Sequence, residues 1–345
     1  MAASKRHQVA FIPGDGIGPE VIAEATKVLE AAALRGNFEI EGEFLDLGAE
    51  RFLRTGEVLP DSVMAHIQNF DAVLLGAVGD PRVPPGVLEG GLLLRLRQDL
   101  DLYVNLRPAK LFKGVTAPHN ETSDFDVVIV RENTEGLYCR RGSSEKTGTS
   151  QETALELSLN TAPAVERLLR FAFEFAAKNE RELTLVHKLN VLEHAGNLYR
   201  RLFLALAEEY PQVKTDYQHV DAAALLLVQD PKRFSVIATD NLFGDILSDL
   251  TAALVGGIGL VGSGNIHPGR VSIFEPVHGS APDIAGTGKA NPIGAILSSA
   301  LMLRHLGETK AAERVEHAVA ESAAKAERDQ LTCTQIGDLV ALAAG

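Results

Sequence analysis

Short runs rich in β-branched and aromatic residues alternate with segments of helical period along the whole chain. That alternation constrains the fold more than any other feature and predicts an α/β protein with a largely parallel sheet. Strands are expected at 7–12 (HQVAFI), 71–76 (DAVLLG), 126–130 (DVVIV), 183–187 (LTLVH) and 234–239 (FSVIAT). A helix is expected after Pro19, where Val21, Ile22, Ala25, Val28, Leu29 and Ala32 fall on one face. Residues 165–178 and 198–210 read as further amphipathic helices. No internal repeat, low-complexity tract or linker marks a boundary, although 345 residues, 46% of them hydrophobic, suggest two domains.

Composition removes several classes of function. The apolar run at 222–228 (AAALLLV) falls far short of the ~20 residues that span a bilayer. No charged-then-apolar signal segment opens the chain, so no membrane association and a cytoplasmic location are expected. Cys139 and Cys333 stand far apart without metal-ligand spacing and read as ordinary thiols. A formal net charge of −13 argues against nucleic acid as a partner, because nonspecific binding relies on Lys and Arg neutralising phosphates.

The stretch FIPGDGIGPEV (11–21) imitates a dinucleotide fingerprint, but Gly14, Gly16 and Gly18 are spaced G-x-G-x-G and Pro19 follows at once. The Rossmann spacing is G-x-G-x-x-G. Glu39 and Glu41 lie near the distance at which a ribose-binding acid would fall, yet in an alternating segment where a solvated face accounts for them equally well. A tight strand-to-helix turn is the favoured reading, with glycine permitting close backbone approach to a ligand.

Charge is concentrated against propensity in TDNLFGDILSDL (239–250), where Asp245 and Asp249 share a helix face. The helix dipole favours an acid in the first turn but decays before Asp249. Either the acids are solvated or they hold a hard divalent cation, for which Asp221, in an apolar context, is a third candidate. Arg95, Arg97, Arg107 and Arg131 form the cationic counterpart. Each could salt-bridge to this acidic chain, or they could bind carboxylates in bidentate fashion. Lys188 leaves an apolar strand and is either a surface lysine or a general base. His187 and His219 flank apolar runs and read as satisfied core histidines.

FIPGDGIGPEV, NLRPAK, RENTEGLY, HKLNV, TDNLFGDILSDL and EPVHGSAPDIAGTGKANP, in this order, resemble the β-decarboxylating dehydrogenases. That family comprises the 3-isopropylmalate, isocitrate, homoisocitrate, tartrate and D-malate enzymes. The resemblance implies a two-domain isopropylmalate/isocitrate dehydrogenase-like fold that is not a Rossmann fold. Its first domain would comprise 1–100 plus 251–345, and its second, which dimerises, 101–250. It implies NAD held beside Ile12 and the glycine loop by His278, Gly279, Ser280, Ala281, Pro282, Asp283, Ile284 and Asn291, with Glu89 near the nicotinamide. Asp283 suits a ribose 2′-OH and would repel a 2′-phosphate, so NAD is expected over NADP.

The resemblance further implies that Asp221, Asp245 and Asp249 hold Mg²⁺ or Mn²⁺ and that Arg97, Arg107 and Arg131 clamp the malate carboxylates. Lys188 would be the base, Tyr138 would help protonate C3, and Asp221 would belong to the catalytic set. Family members are homodimers with shared active sites, to which Lys188 and Asp221 would come from the second subunit. Leu92, Leu93 and Leu94 ahead of Arg97, and Val191 after Asn190, offer an apolar lining for the C3 substituent. An isopropyl group gains ~0.8 kcal/mol per buried CH₂, whereas a carboxylate there would be costly. The expected reaction is therefore oxidative decarboxylation of (2R,3S)-3-isopropylmalate with NAD reduction, in leucine biosynthesis. Alternatives are another 3-substituted malate, or a catalytically dead dinucleotide-binding paralogue. RENTEGLYCRRG is closer to the isocitrate and homoisocitrate branch, and Arg95, Arg140 and Arg141 are extra cations suited to a longer diacid.

Overall fold

A computed structural model describes residues 5–118 and 125–345. The elements run β1 (Lys5–Gly14), α1 (Gly18–Gly36), β2 (Phe38–Phe44), α2 (Ala49–Thr55), α3 (Asp61–Ile67), β3 (Ala72–Ala77), a π-helical turn (Glu89–Leu94), α4 (Arg95–Asp99), β4 (Val104–Lys110), β5 (Asp126–Glu132), β6 (Gly136–Glu145) and β7 (Thr153–Leu159). They continue α5 (Ala162–Lys178), β8 (Leu183–His187), α6 (Glu193–Glu209), β9 (Thr215–His219), α7 (Val220–Gln229), β10 (Val236–Thr239), α8 (Asn241–Leu254), β11 (Gly262–Ile266), β12 (Ser272–Pro276), α9 (Ile293–His305), α10 (Thr309–Arg328) and α11 (Cys333–Ala344). Two compact units emerge: Met1–Leu102 with Arg107–Phe125 and Ala252–Gly345, and Tyr103–Leu106 with Asp126–Thr251. Residues 101–102, 107–118 and Phe125, expected in the second domain, lie in the first unit, and Thr251, expected in the first, lies in the second.

In the first unit the strands run in the order β2-β1-β3-β12-β11, parallel except for β11 against β12. β3 is buried along its whole length, which is why it reads as a continuous apolar run and not as an alternation. All six residues expected on the inner face of α1 are buried, and α1 packs against α11. Pro19 fits the first turn of α1, where its missing N–H has no partner to lose, and the helix stops at Asn37 in the left-handed conformation. Leu92 is fully buried with Ile12, Val73, Leu75 and Ile273, so it belongs to the core and lines no ligand pocket; Leu93 packs partly on the same cluster. Each such buried aliphatic side chain stabilises the unit by about 1.5–3 kcal/mol. On β2, Glu39 and Glu41 both pair with Arg6, so the solvated-face reading holds for them.

In the second unit β5, β10, β8 and β9 form a parallel array in that order, with Val236 opposite both Val128 and Leu183. α5 and α6 pack on each other, and the Thr161 hydroxyl caps α5 by accepting from the Ala164 amide at 3.4 Å. β6 and β7 form a separate antiparallel ribbon whose side chains are mostly exposed. An isolated two-stranded ribbon is marginal in water.

Candidate active site

Within the second unit, chemistry-bearing residues gather at the C-terminal ends of parallel strands. Arg131 ends β5, Lys188 follows β8, and Asp240 with Asn241 follows β10. Arg131 is the largest fully buried side chain, 1% exposed. Its Nε donates to the Asn241 carbonyl at 2.8 Å, its Nη2 to Asn241 Oδ1 at 2.8 Å, and its Nη1 to Asp245 Oδ1 at 2.6 Å. Asp245 Oδ2 accepts from the Tyr138 hydroxyl at 2.8 Å, and the guanidinium lies 5.1 Å from the Tyr138 ring centroid. Burial, and then the bond to Asp245, push the Tyr138 phenol above its ordinary range.

Gly244 makes this arrangement possible, because a Cβ there would stand 2.4 Å from Arg131 Cγ. The question raised by two aspartates on one helix face is thereby partly answered: a buried guanidinium offsets the charge of Asp245. Arg131, Tyr138 and Asp245 are three expected site residues that one chain brings together.

Lys188 and Asp221 form a second pair, Nζ to Oδ1 at 2.5 Å, and the ammonium beside it holds the Asp221 carboxyl below the usual range. Asp221 sits in the first turn of α7 with its side chain 68% exposed, and Asn190 and Val191 are exposed in the turn after β8. Among the described residues no group of three His, Cys, Asp or Glu side chains is placed to hold a metal. Asp221, Asp245 and Asp249 are thus not gathered within one chain; the expectation is that Asp221 comes from a second subunit. Both oxygens of Asp245 are engaged by Arg131 and Tyr138, and Asp221 is engaged by Lys188.

In the first unit the glycine loop is a tight turn, as its spacing suggests. A Cβ on Gly14 would lie 1.9 Å from the Ala77 carbonyl oxygen, and one on Gly16 would lie 2.0 Å from that of Ser280. The Ile17 amide donates to the same Ser280 oxygen at 2.8 Å, so the turn and the segment from His278 onward touch directly. Ile12, expected beside a cofactor, is 0% exposed and sealed in the core, so it backs the loop and offers no surface to a ligand. Gly279, Pro282 and Asp283 are exposed, Ser280, Ala281 and Ile284 are half-buried, and Asn291 Oδ1 accepts from the Ile293 amide at 3.0 Å. His278 is buried and its Nε2 has no hydrogen-bond partner. An orphaned polar atom beside an exposed glycine is what a base edge or ribose hydroxyl would satisfy, so these residues fit a nucleotide.

Arg97 Nη2 is bound to Glu275 Oε1 at 3.0 Å, and Asn265 donates to the same oxygen at 2.7 Å. Arg107 is buried. Glu89 accepts from the Gly86 amide at 2.9 Å, and Leu94 is half-buried at the end of the π-helical turn. Arg95, considered for a longer diacid, is tied to Asp61, Asp99 and the Leu59 carbonyl. Arg140 and Arg141 are exposed on β6.

Sequence reasoning passed over several participants. Asn241, Gly244, Glu275 and Asp15 carry contacts to residues 34 to 178 positions away, and only the compact TDNLFGD segment hinted at the first two. The satisfied-core reading of His187 needs correction. His187 is fully buried between Tyr199 and Phe243, but both ring nitrogens lack partners, with Asp240 Oδ2 3.7 Å away. Burial lowers the imidazole to about 4, and burial raises the Asp240 carboxyl to about 6. His219 is half-buried and does have a partner, its Nδ1 lying 2.8 Å from the Tyr217 hydroxyl.

Comparison with known proteins places this geometry. The family model for isocitrate/isopropylmalate dehydrogenase matches residues 8–340. A 3-isopropylmalate dehydrogenase of Bifidobacterium longum subsp. infantis is 55% identical over 92% of this chain and 92% of its own. One of Leifsonia xyli subsp. xyli is 55% identical over 98% of both chains. Among solved structures, isocitrate dehydrogenase from Methylococcus capsulatus superimposes with a TM-score of 0.89 at 37% identity, covering 98% of this chain and 99% of that one. The architecture is thus the two-domain α/β fold of these enzymes, and the chain belongs to the isocitrate/isopropylmalate dehydrogenase family.

Proposed function

We propose that this protein catalyses the NAD-dependent oxidative decarboxylation of (2R,3S)-3-isopropylmalate to 4-methyl-2-oxopentanoate in leucine biosynthesis. The observation that carries the reading is that relatives 55% identical over nearly their full lengths are 3-isopropylmalate dehydrogenases by name. The convergence of Arg131, Tyr138 and Asp245 supplies a compatible chemistry.

Arg131, fixed on three sides, presents a preorganised cation for a substrate carboxylate, and Arg97 and Arg107 serve the same purpose. Lys188 takes the 2-hydroxyl proton; residues 278–291 would hold NAD, which would supply the hydride acceptor for C2. The C3 carboxylate then leaves as CO₂, and the electron pair left on C3 takes up a proton. Tyr138, its phenol kept protonated by burial and by Asp245, is the donor at that carbon. Asp283 selects NAD against NADP by its negative charge.

Mg²⁺ or Mn²⁺ would find hard oxygen donors in Asp245 and Asp249, with Asp221 supplied by a second copy. We therefore take a homodimer as the catalytic form. The exposed β6–β7 ribbon, with Leu155 and Leu157 on its surface, is apolar area that a second copy would cover.

The Methylococcus structure raises isocitrate as a second substrate. The apolar Leu93 and Leu94 ahead of Arg97 count against it, since a third carboxylate set against them would be costly. The deciding measurement is NADH formation with Mg²⁺ across 3-isopropylmalate, isocitrate, homoisocitrate, D-malate and tartrate. Isopropylmalate should give the highest kcat/KM, and preference for any of the others would overturn the assignment.

A further inference from the structure

Asp15 lies in the middle of the glycine loop, yet neither the motif nor the reaction gives it a task. It is 6% exposed, and no cation pairs with it among the described residues. Its carboxylate is held by backbone alone. Oδ1 accepts from the Ala49 amide at 2.7 Å, at the start of α2, and Oδ2 accepts from the Gly79 amide at 2.9 Å, just past β3. Its own amide donates to the Ala77 carbonyl at 2.8 Å, and its carbonyl accepts from Gly18 at 2.9 Å. Every backbone and side-chain oxygen or nitrogen of this residue is thus engaged, and three separate chain segments meet on it.

Glycine is required around it because the segments approach so closely. A Cβ on Gly48 would come within 2.6 Å of Asp15 Oδ1. Two residues on, the Ile17 amide pins the Ser280 carbonyl at 2.8 Å, and Gly16 is pressed against the same oxygen. Ala281, which follows, has φ 39°, in the left-handed region that non-glycine residues avoid. Such a conformation persists only where its surroundings over-determine it.

We propose that Asp15 is a positioning residue for the nicotinamide dinucleotide, bracing the Gly14–Ile17 turn so that it holds Ser280 and Ala281 in the shape that receives the cofactor. The proposal rests on the reading that NAD binds at 278–291. It makes the carboxylate of the glycine motif, and not only its glycines, a support behind the cofactor site.

Asp15→Asn preserves volume but turns an NH₂ toward one of the two backbone N–H groups. Loss of one charge-assisted bond predicts an NADH dissociation constant about tenfold higher by fluorescence titration. The KM for NAD should rise with it, while kcat and the KM for the hydroxy diacid stay within about twofold, since uniform loss of cofactor binding leaves the chemical step alone. Unchanged NADH affinity in a folded variant, or an equal rise in both KM values, would overturn the proposal. Hydrogen exchange on the unmutated protein provides a test that needs no variant. On adding NADH, the amides of Ile17, Ala49 and Gly79 should slow together with those of 279–284. A response confined to 279–284 refutes the brace alone, whereas failure of the unmutated protein to bind NADH refutes both the brace and the cofactor reading.

Discussion

Asp221 in the first turn of α7 and Asp245 one turn into α8 are the same residue type, and the same task is proposed for both, yet their surroundings are opposite. Asp245 is 35% exposed and locked between the buried guanidinium of Arg131 and the Tyr138 hydroxyl. Asp221 is 68% exposed and pairs with Lys188. Asp245 is held by its own chain, with partners, a glycine cut to fit and an asparagine gripping the arginine. Asp221, at the same end of the sheet, is an exposed carboxylate resting on a half-buried lysine. A residue set that is chemically half-complete in one chain is what a shared active site looks like from one side, in line with the proposed dimer.

The comparison is broken or sharpened first by activity. Lys188→Ala and Asp245→Asn should each lower kcat by about 10²–10⁴, the range expected for loss of an acid–base or orienting group. If the outward pair serves a second copy, unfolding and refolding the two dead variants together restores activity. Statistical reassortment gives about a quarter of the unmutated rate, because half the dimers are mixed and each carries one intact site. No recovery in the mixture would place both residues in the same chain's site and end the contrast drawn here.

Stability separates the two aspartates by a smaller amount. Asp245→Asn leaves Arg131 buried beside a weaker acceptor, which should cost about 1–3 kcal/mol in urea unfolding. Asp221→Asn removes an exposed ion pair and should leave the urea midpoint unmoved, as surface pairs of this kind contribute little. Equal losses would mean that the surroundings of Asp221 are not those of a surface group.

Much of the first unit was legible because periodicity reports on burial. The six inward residues of α1 follow from spacing alone, and in the second unit the limits of β8 follow from its β-branched and apolar run. The acids of α8 were legible as a local anomaly. What holds them was not, since Arg131 and Asp245 are 114 positions apart and no local pattern encodes a pairing at that distance. Leu92 misled for the related reason that a π-helical turn rotates three successive leucines differently from an α-helix, sending the first into the core. Asp15 was hidden by its motif, whose glycines draw attention to backbone freedom and away from the one carboxylate among them.

The finest test lies directly behind Lys188, on the buried side of the same strand end. His187 and Asp240 face each other at 3.7 Å without a hydrogen bond, and burial moves them in opposite directions. The imidazole, lowered from 6.5 to about 4, binds fewer protons folded than unfolded, so its contribution to stability is lost as pH falls through that window. The carboxyl, raised from 3.8 to about 6, binds more protons folded, so its contribution is lost as pH rises from about 4 to 6. Between pH 4 and 6 the two slopes oppose each other, and the pair should leave stability nearly flat. Asp240→Asn keeps an acceptor for the Phe243 amide and unmasks the histidine, so its urea midpoint should fall more steeply than that of the unmutated protein from pH 6.5 to 4. His187→Asn unmasks the aspartate and should reverse the sign of that difference. Parallel curves for all three proteins would show that this strand end is solvated on both faces, and the division into a sealed and an outward side would fail there.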